Sequence, residues 1–258
     1  MPRGADDPIY GEKPDNDTGR PMGGMPSRVH PATIMTEAQF ALMRKMMVQE
    51  ILDHSTYARE HAGCDALDPR VLEVMGSVPR HVFVPAEIVP YAYLNMPLPI
   101  GYGKTISQPF IVALMTDLLD LRPEDTVLEI GTGLGYQCAV CARLAALVYS
   151  VEIIPEHSAA AQRILSTLGY ANVALRTGDG ALGWAEKAPF DKIIVTAAPE
   201  LIPPMLLQQL KPGGRMVIPS GLPDSQSLVL VEKDETSRIT TSDILAVRFS
   251  VLENGDDI

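Results

Sequence analysis

Apolar positions first recur regularly after Thr36, where Phe40, Met43, Met46, Met47, Ile51 and Leu52 follow helical spacing. Thr36 is the expected N-cap. A second helix is predicted over Asp68–Met75, capped by Asp68, with Pro69 at the first helical position, where no N–H is needed. Periodicity then fails. Pro79, Pro85, Pro90, Pro97, Pro99 and Pro109, with Gly101 and Gly103, predict an irregular connection over Val78–Pro85 and loop-like chain over 86–110. Long loops inside compact domains usually carry function.

From Ile111 helical and strand patterns alternate. Helices are expected over Ile111–Leu121, Gln137–Leu144, Ala159–Leu168 and Pro203–Leu210, the last closed by Lys211-Pro212-Gly213-Gly214. Strands are expected over Thr126–Ile130, Val148–Glu152, Val173–Thr177, Asp191–Thr196 and Arg215–Pro219. This alternation predicts an α/β fold with a doubly wound, mostly parallel sheet. Ser227–Glu232 and Asp243–Phe249 have little between them and are expected as antiparallel strands at the C-terminal edge. Residues 1–35, rich in Pro, Gly, Asp and Asn, read as a flexible tail. Residues 36–258 read as a single domain, with a helical and loop part over 36–110 and an α/β core over 111–258.

Composition narrows the class. The 258 residues are 46% hydrophobic, enough for a sizeable core, and carry a formal net charge of −11. That balance argues against a constitutive nucleic-acid partner, which needs a basic face. No apolar run approaches the roughly 20 residues of a membrane span. The first residues lack the apolar core of a secretory signal, and three cysteines make no disulfide framework. A cytoplasmic protein without a membrane partner is expected; the oligomeric state is left open. Cys138 and Cys141 match C-x-x-C but fall inside a predicted helix, where packing explains them better than redox chemistry. The five histidines show no ligand spacing, so no metal is expected.

The chemistry-bearing segment is Val127-Leu128-Glu129-Ile130-Gly131-Thr132-Gly133-Leu134-Gly135-Tyr136. A buried strand feeds a glycine loop that lets a ligand approach the backbone at the carboxyl end of the first sheet strand. Free N–H groups at the next helix start favour an anionic group. Glu152 ends the following strand, where an acid can bind both ribose hydroxyls of a nucleoside. Dinucleotide enzymes need a third glycine at the sixth position of the motif, which here is Tyr136. The G-x-G-x-G spacing after acidic Glu129 instead favours S-adenosylmethionine. Gly178-Asp179-Gly180 follows the third strand, placed either to meet an adenine or to form an ordinary Asp-Gly turn.

Pro97-Leu98-Pro99-Ile100-Gly101-Tyr102-Gly103-Lys104-Thr105-Ile106-Ser107-Gln108-Pro109 resembles the signature loop of the protein-L-isoaspartate O-methyltransferase family. Val78–Pro85, the glycine loop with Val151-Glu152, Phe190–Pro199 and Leu210–Pro219 are similar to that family too, in its order, over roughly residues 65–250. The resemblance implies a Rossmann-like methyltransferase fold. It implies methyl transfer from S-adenosyl-L-methionine, leaving S-adenosyl-L-homocysteine, to the α-carboxylate of L-isoaspartyl residues, with D-aspartyl residues a further substrate. Aged or damaged proteins would be the partners, and the ester would close to a succinimide on the way to repair. It implies that Ser107 is the active-site residue, that Thr105 and Ile106 lie at the cofactor with Glu129, Gly131, Thr132, Gly133 and Gly135, that Glu152 binds the ribose, and that Asp179 and Gly180 meet the adenine. Arg248 and Phe249 would lie near the substrate.

A carboxylate with an ordinary pKa near 4 is ionised at neutral pH and needs no general base. Ser107, without evident His and Asp partners, fits an orienting hydroxyl rather than a nucleophile. Where the family commonly ends its last strand with Val-Arg-Phe-Val-Pro-Leu, this chain has Val247-Arg248-Phe249-Ser250-Val251-Leu252, which changes the expected cleft. Two alternatives follow: a related carboxyl methyltransferase acting on another peptide or small molecule, and a non-catalytic cofactor-binding module. Lys104 is either an attractor for an anionic substrate or a solvated charge.

Overall fold

The computed structural model describes residues 35–62 and 66–255, so the tail expected over 1–35 lies, Met35 apart, outside the described residues. Helix α1 (Glu37–Ala62) opens with a reciprocal cap. The Thr36 N–H donates to Gln39 Oε1 at 2.8 Å, and the Gln39 N–H donates back to Thr36 Oγ1 at 3.3 Å. Met47 and Ile51 are buried, and Phe40 and Met43 pack beside them. Met46 is 63% exposed and Leu52 is 36% exposed, so the buried stripe is narrower than the sequence suggests. Each lies about 100° around the helix from its buried neighbour, which carries it to the flank. Phe40 stacks on His81 at 3.7 Å between ring centroids, anchoring α1 to the segment after α2. Helix α2 (Pro69–Ser77) starts as expected, with the Asp68 carboxylate accepting from the Arg70 N–H at 2.7 Å.

The stretch read as loop over 86–110 contains a hairpin, β1 (Leu98–Gly101) and β2 (Lys104–Ile106). Leu98 pairs with Ile106 and Pro99 with Thr105. Tyr102 and Gly103 carry φ of +52° and +68°, the left-handed pair that a two-residue hairpin turn matched to strand twist requires. Two short 3₁₀ turns, Arg80–Phe83 and Ala86–Tyr91, precede it.

After α3 (Pro109–Leu118) the chain builds β3 (Thr126–Ile130), α4 (Tyr136–Ala142), β4 (Leu147–Glu152), α5 (Pro155–Thr167), β5 (Val173–Thr177), β6 (Phe190–Val195), α6 (Pro204–Gln209), β7 (Leu210–Leu222), β8 (Ser225–Lys233) and β9 (Ile239–Val247). The sheet order is β5-β4-β3-β6-β7-β8-β9; the first five strands run parallel, and β8 and β9 antiparallel. This is the expected Rossmann-like architecture with antiparallel C-terminal strands. Alternate residues serve opposite faces. Val127, Val148, Ile194 and Val217 pack under α1 to α5, while Leu128, Ile193, Val195 and Met216 pack with α6.

Most element ends shift by a few residues from expectation, and two departures are informative. Lys211-Pro212-Gly213-Gly214 does not close a helix; it forms the irregular opening of β7, between the pairs Phe190↔Leu210 and Lys192↔Arg215. A Cβ on Gly214 would lie 2.8 Å from the Asp191 carbonyl, so the glycine permits this close strand approach. Strand β9 begins at Ile239, ahead of the expected Asp243, since its exposed first half lacks the apolar alternation that marks a strand in sequence, and it stops before Arg248 and Phe249. Among the described residues no helix is long and apolar enough to cross a membrane.

Candidate active site

The sheet order reverses at β3: β4 continues to one side and β6 to the other. Open α/β sheets bind ligands in the crevice beyond such a switch point, and the glycine loop stands there. Gly131, Gly133 and Gly135 have φ of +92°, +54° and +99°. At Gly131 the requirement is also steric, since an added Cβ would lie 2.5 Å from Thr196 Oγ1. That hydroxyl donates to the Gly131 carbonyl at 2.6 Å, tying the loop to the end of β6.

Glu152 is buried at the end of β4. Its Oε2 accepts from the Gly133 N–H at 2.6 Å and its Oε1 from the Ile154 N–H at 3.0 Å. Each oxygen keeps a further lone pair for a ligand. The carboxylate borders a cavity lined by Gly131, Gly133, Lys104, Thr105, Gly180 and Leu252. A connected pocket lies under the hairpin, with Ile106, Ser107, Thr132 and Tyr136 in its wall. An open groove on the far side of Ser107 is lined by Gln108, Phe110, Thr196, Arg248 and Phe249. Thr105 and Thr196 border all three spaces.

Ser107 therefore borders both a small pocket beside the glycine loop and a wider groove. Its hydroxyl has no hydrogen-bond partner among the described residues, while its carbonyl accepts from Arg80 Nη2 at 2.7 Å. Gln226 clamps the backbone of Phe249: the Phe249 N–H donates to Oε1 at 2.6 Å, and Nε2 donates to the Phe249 carbonyl at 3.3 Å. Arg248 is exposed, 3.4 Å from Asp224.

Two expected cofactor residues sit behind the cavity wall. Glu129 is fully buried under the glycine loop. Its Oε2 accepts from Ser150 Oγ at 2.5 Å, and Ser150 Oγ lies 2.5 Å from Thr132 Oγ1. Burial pushes its pKa up to about 8, with the nearby Glu152 charge adding to the shift and the Ser150 and Cys138 hydrogen bonds opposing it. Asp179 caps the turn that follows it, accepting from the Ala181 N–H at 2.8 Å, and its other oxygen accepts from the Gly255 N–H at 3.3 Å. Gly180 itself borders the cavity.

A family model described as protein-L-isoaspartate(D-aspartate) O-methyltransferase matches residues 58–256. The chain belongs to this family. A protein-L-isoaspartate O-methyltransferase of Polaromonas sp. (strain JS666 / ATCC BAA-500) is 58% identical over 222 residues, covering 86% of this chain and 94% of that protein. One from Syntrophobacter fumaroxidans is 57% identical over 217 residues, covering 84% and 88%. A solved protein-L-isoaspartate O-methyltransferase superposes with a TM-score of 0.72 at 28% identity, over 82% of this chain and 66% of that one.

Within this family member several site residues escaped the sequence reading. Thr196, expected as a strand end within the family-like segment Phe190–Pro199, pins the glycine loop. His157, in the first turn of α5, borders the cavity; its Nε2 lies 3.2 Å from the Ile100 carbonyl, and Tyr102 meets its ring edge-on at 5.2 Å. Lys104 is paired while still partly exposed: its Nζ lies 2.5 Å from Glu253 Oε1, and both residues border the cavity. Cys138 and Cys141 are buried in α4 and free, the Cys141 thiol pushed up to about 12 by burial, as packing residues are.

Proposed function

We infer that this protein transfers a methyl group from S-adenosyl-L-methionine to the α-carboxylate of L-isoaspartyl residues in damaged proteins, the step that opens repair through a succinimide. Membership in the isoaspartyl methyltransferase family gives the reaction. The observation that supports its assignment to this site is the position of Ser107, which borders both the small pocket beside the glycine loop and the wider groove lined by Arg248 and Phe249.

The side towards the glycine loop suits the cofactor. A Cβ at Gly133 would crowd Ile100 at 3.1 Å, so the cradle depends on glycine. In this reading Gly131, Thr132, Gly133 and Gly135 present backbone to the ligand, Thr105 and Ile106 cover it, and Glu152 accepts from ribose hydroxyls. Glu129 and Asp179 act at one remove. Glu129 supports Thr132 through Ser150, and Asp179 holds Gly180 against the cavity. When bound, S-adenosylmethionine supplies a methyl group activated by a sulfonium.

The groove suits an extended peptide whose carboxylate reaches Ser107, with Arg248 and Phe249 beside it. The carboxylate is already ionised, so no side chain needs to remove a proton. The unpaired Ser107 hydroxyl donates to one carboxylate oxygen and orients the other towards the methyl carbon. Alignment of this kind contributes up to roughly 7–11 kcal/mol in favourable cases. We place the protein in the cytoplasm on its composition.

The test is incubation with labelled cofactor and paired peptides that contain either isoaspartate or aspartate. A base-labile methyl ester on the isoaspartyl peptide is expected. Absence of that ester, or equal labelling of both peptides, overturns the reading.

A further inference from the structure

Arg80 is fully buried, and among the described residues no carboxylate lies within ion-pair distance of it. Its Nε donates to the Ala92 carbonyl at 2.8 Å and its Nη2 to the Ser107 carbonyl at 2.7 Å. The guanidinium carbon stands 4.7 Å from the centroid of the Tyr136 ring, and Nη1 has no partner. Tyr136 opens α4 directly after Gly135 and lines the small pocket that Ser107 also borders. One cation thus touches the 3₁₀ segment before the hairpin, the backbone of Ser107 and the helix that begins at the glycine loop.

Burying a cation without a counter-charge is costly. Arg80 offsets part of that cost by satisfying two backbone carbonyls, and one of them belongs to Ser107. An ionised substrate carboxylate approaching Ser107 is repelled by any carbonyl oxygen that faces it. A guanidinium that takes the Ser107 carbonyl fixes the peptide plane and commits its oxygen elsewhere.

We propose that Arg80 is a positioning residue for methyl transfer, acting through the Ser107 carbonyl to hold the serine hydroxyl in register with the substrate carboxylate. This rests on the methyltransferase reading, and wild-type turnover of the isoaspartyl peptide tests that reading separately. Misplacement of a reacting group by about 1 Å can cost on the order of 10²-fold in rate.

Two variants make the test. Arg80→Lys keeps the charge but loses the fork; Arg80→Gln keeps N–H donors and removes the buried charge, so the burial cost goes with it. In both, kcat is expected to fall about 10- to 100-fold while S-adenosylhomocysteine affinity stays within about 3-fold. In an Arg80→Lys, Ser107→Ala double variant, the rate is expected to stay within about 3-fold of Ser107→Ala alone, because both changes disable one device. Amide hydrogen exchange over residues 104–108 is expected to quicken in both single variants while β3 stays protected. Wild-type kcat in both single variants, a parallel collapse of kcat and cofactor affinity, or unchanged exchange over 104–108 overturns the proposal. So does failure of both single variants to fold, which makes Arg80 a scaffold residue.

Discussion

At Gly131 two independent demands converge on one residue. Its φ of +92° strains any L side chain, and Thr196 Oγ1 occupies the space a Cβ would take. Gly131→Ala is expected to cost about 1–3 kcal/mol in urea denaturation and to weaken cofactor binding. Adding Thr196→Ala should recover the steric share and leave the backbone strain; full recovery would show that φ is not limiting. Glu129 gives a prediction in pH. Its folded pKa of about 8 lies above the ordinary 4.5, so the native state holds a proton that the unfolded chain has released across that window. Stability from this group is complete below the unfolded value and is lost as pH rises through the folded one. Wild type is therefore expected to lose more stability than Glu129→Gln between about pH 5 and about pH 9; parallel curves would refute the raised pKa. The loop glycines and Glu152 were legible in sequence because each is defined by its place on a strand end. Thr196, His157 and Arg80 were not. Their partners Gly131, Ile100 and Ser107 lie 65, 57 and 27 residues away, brought together only by strand order and the hairpin.

At the scale of elements, β3 coincides with its apolar run in sequence, because a strand buried at a parallel sheet centre carries a continuous hydrophobic signal; β5, half-buried at the sheet edge, keeps its expected bounds as well. The β1–β2 hairpin hid behind Pro97 and Pro99, which break alternation, and behind Tyr102, an unusual residue for a left-handed turn position. The hairpin is joined to the C-terminal segment by the Lys104–Glu253 pair. That segment is itself docked on the end of β6: the Ala198 N–H donates to the Ser250 carbonyl at 2.8 Å, and the Leu252 N–H to the Ala198 carbonyl at 2.9 Å. Since Lys104 and Glu253 both border the cavity, the pair must yield when a ligand leaves by that side. Both side chains are partly exposed, which limits the pair to about 1 kcal/mol or less. Glu253→Gln is accordingly expected to speed S-adenosylhomocysteine release by about 2- to 5-fold in a stopped-flow displacement, an effect that added salt reproduces in wild type. An unchanged release rate would mean that the ligand leaves past other residues.

At the scale of the whole molecule, the cavity wall draws on residues spread from Ile100 to Glu253: the hairpin, the glycine loop, the ends of β4 and β6, Gly180 and the C-terminal segment. A ligand there bridges pieces that unfolding separates, so binding should appear as global stability. Saturation at a hundred times Kd adds about 2.7 kcal/mol. For a domain of this size each kcal/mol raises Tm by about 2–4 °C, giving a shift of roughly 5–10 °C. Ligand identity and variant pattern make the measurement specific. S-adenosylhomocysteine should shift a thermal melt, and a nicotinamide dinucleotide should not, because Tyr136 occupies the place where that ligand class needs a third glycine. A chelator should leave the melt unchanged. Ser107→Ala should keep the full shift, since its hydroxyl serves the substrate carboxylate, whereas Gly131→Ala should lose most of it, since its backbone forms the cradle. If Ser107→Ala lost the shift and Gly131→Ala kept it, the division between a cofactor side and a substrate side of this site would have to be reversed.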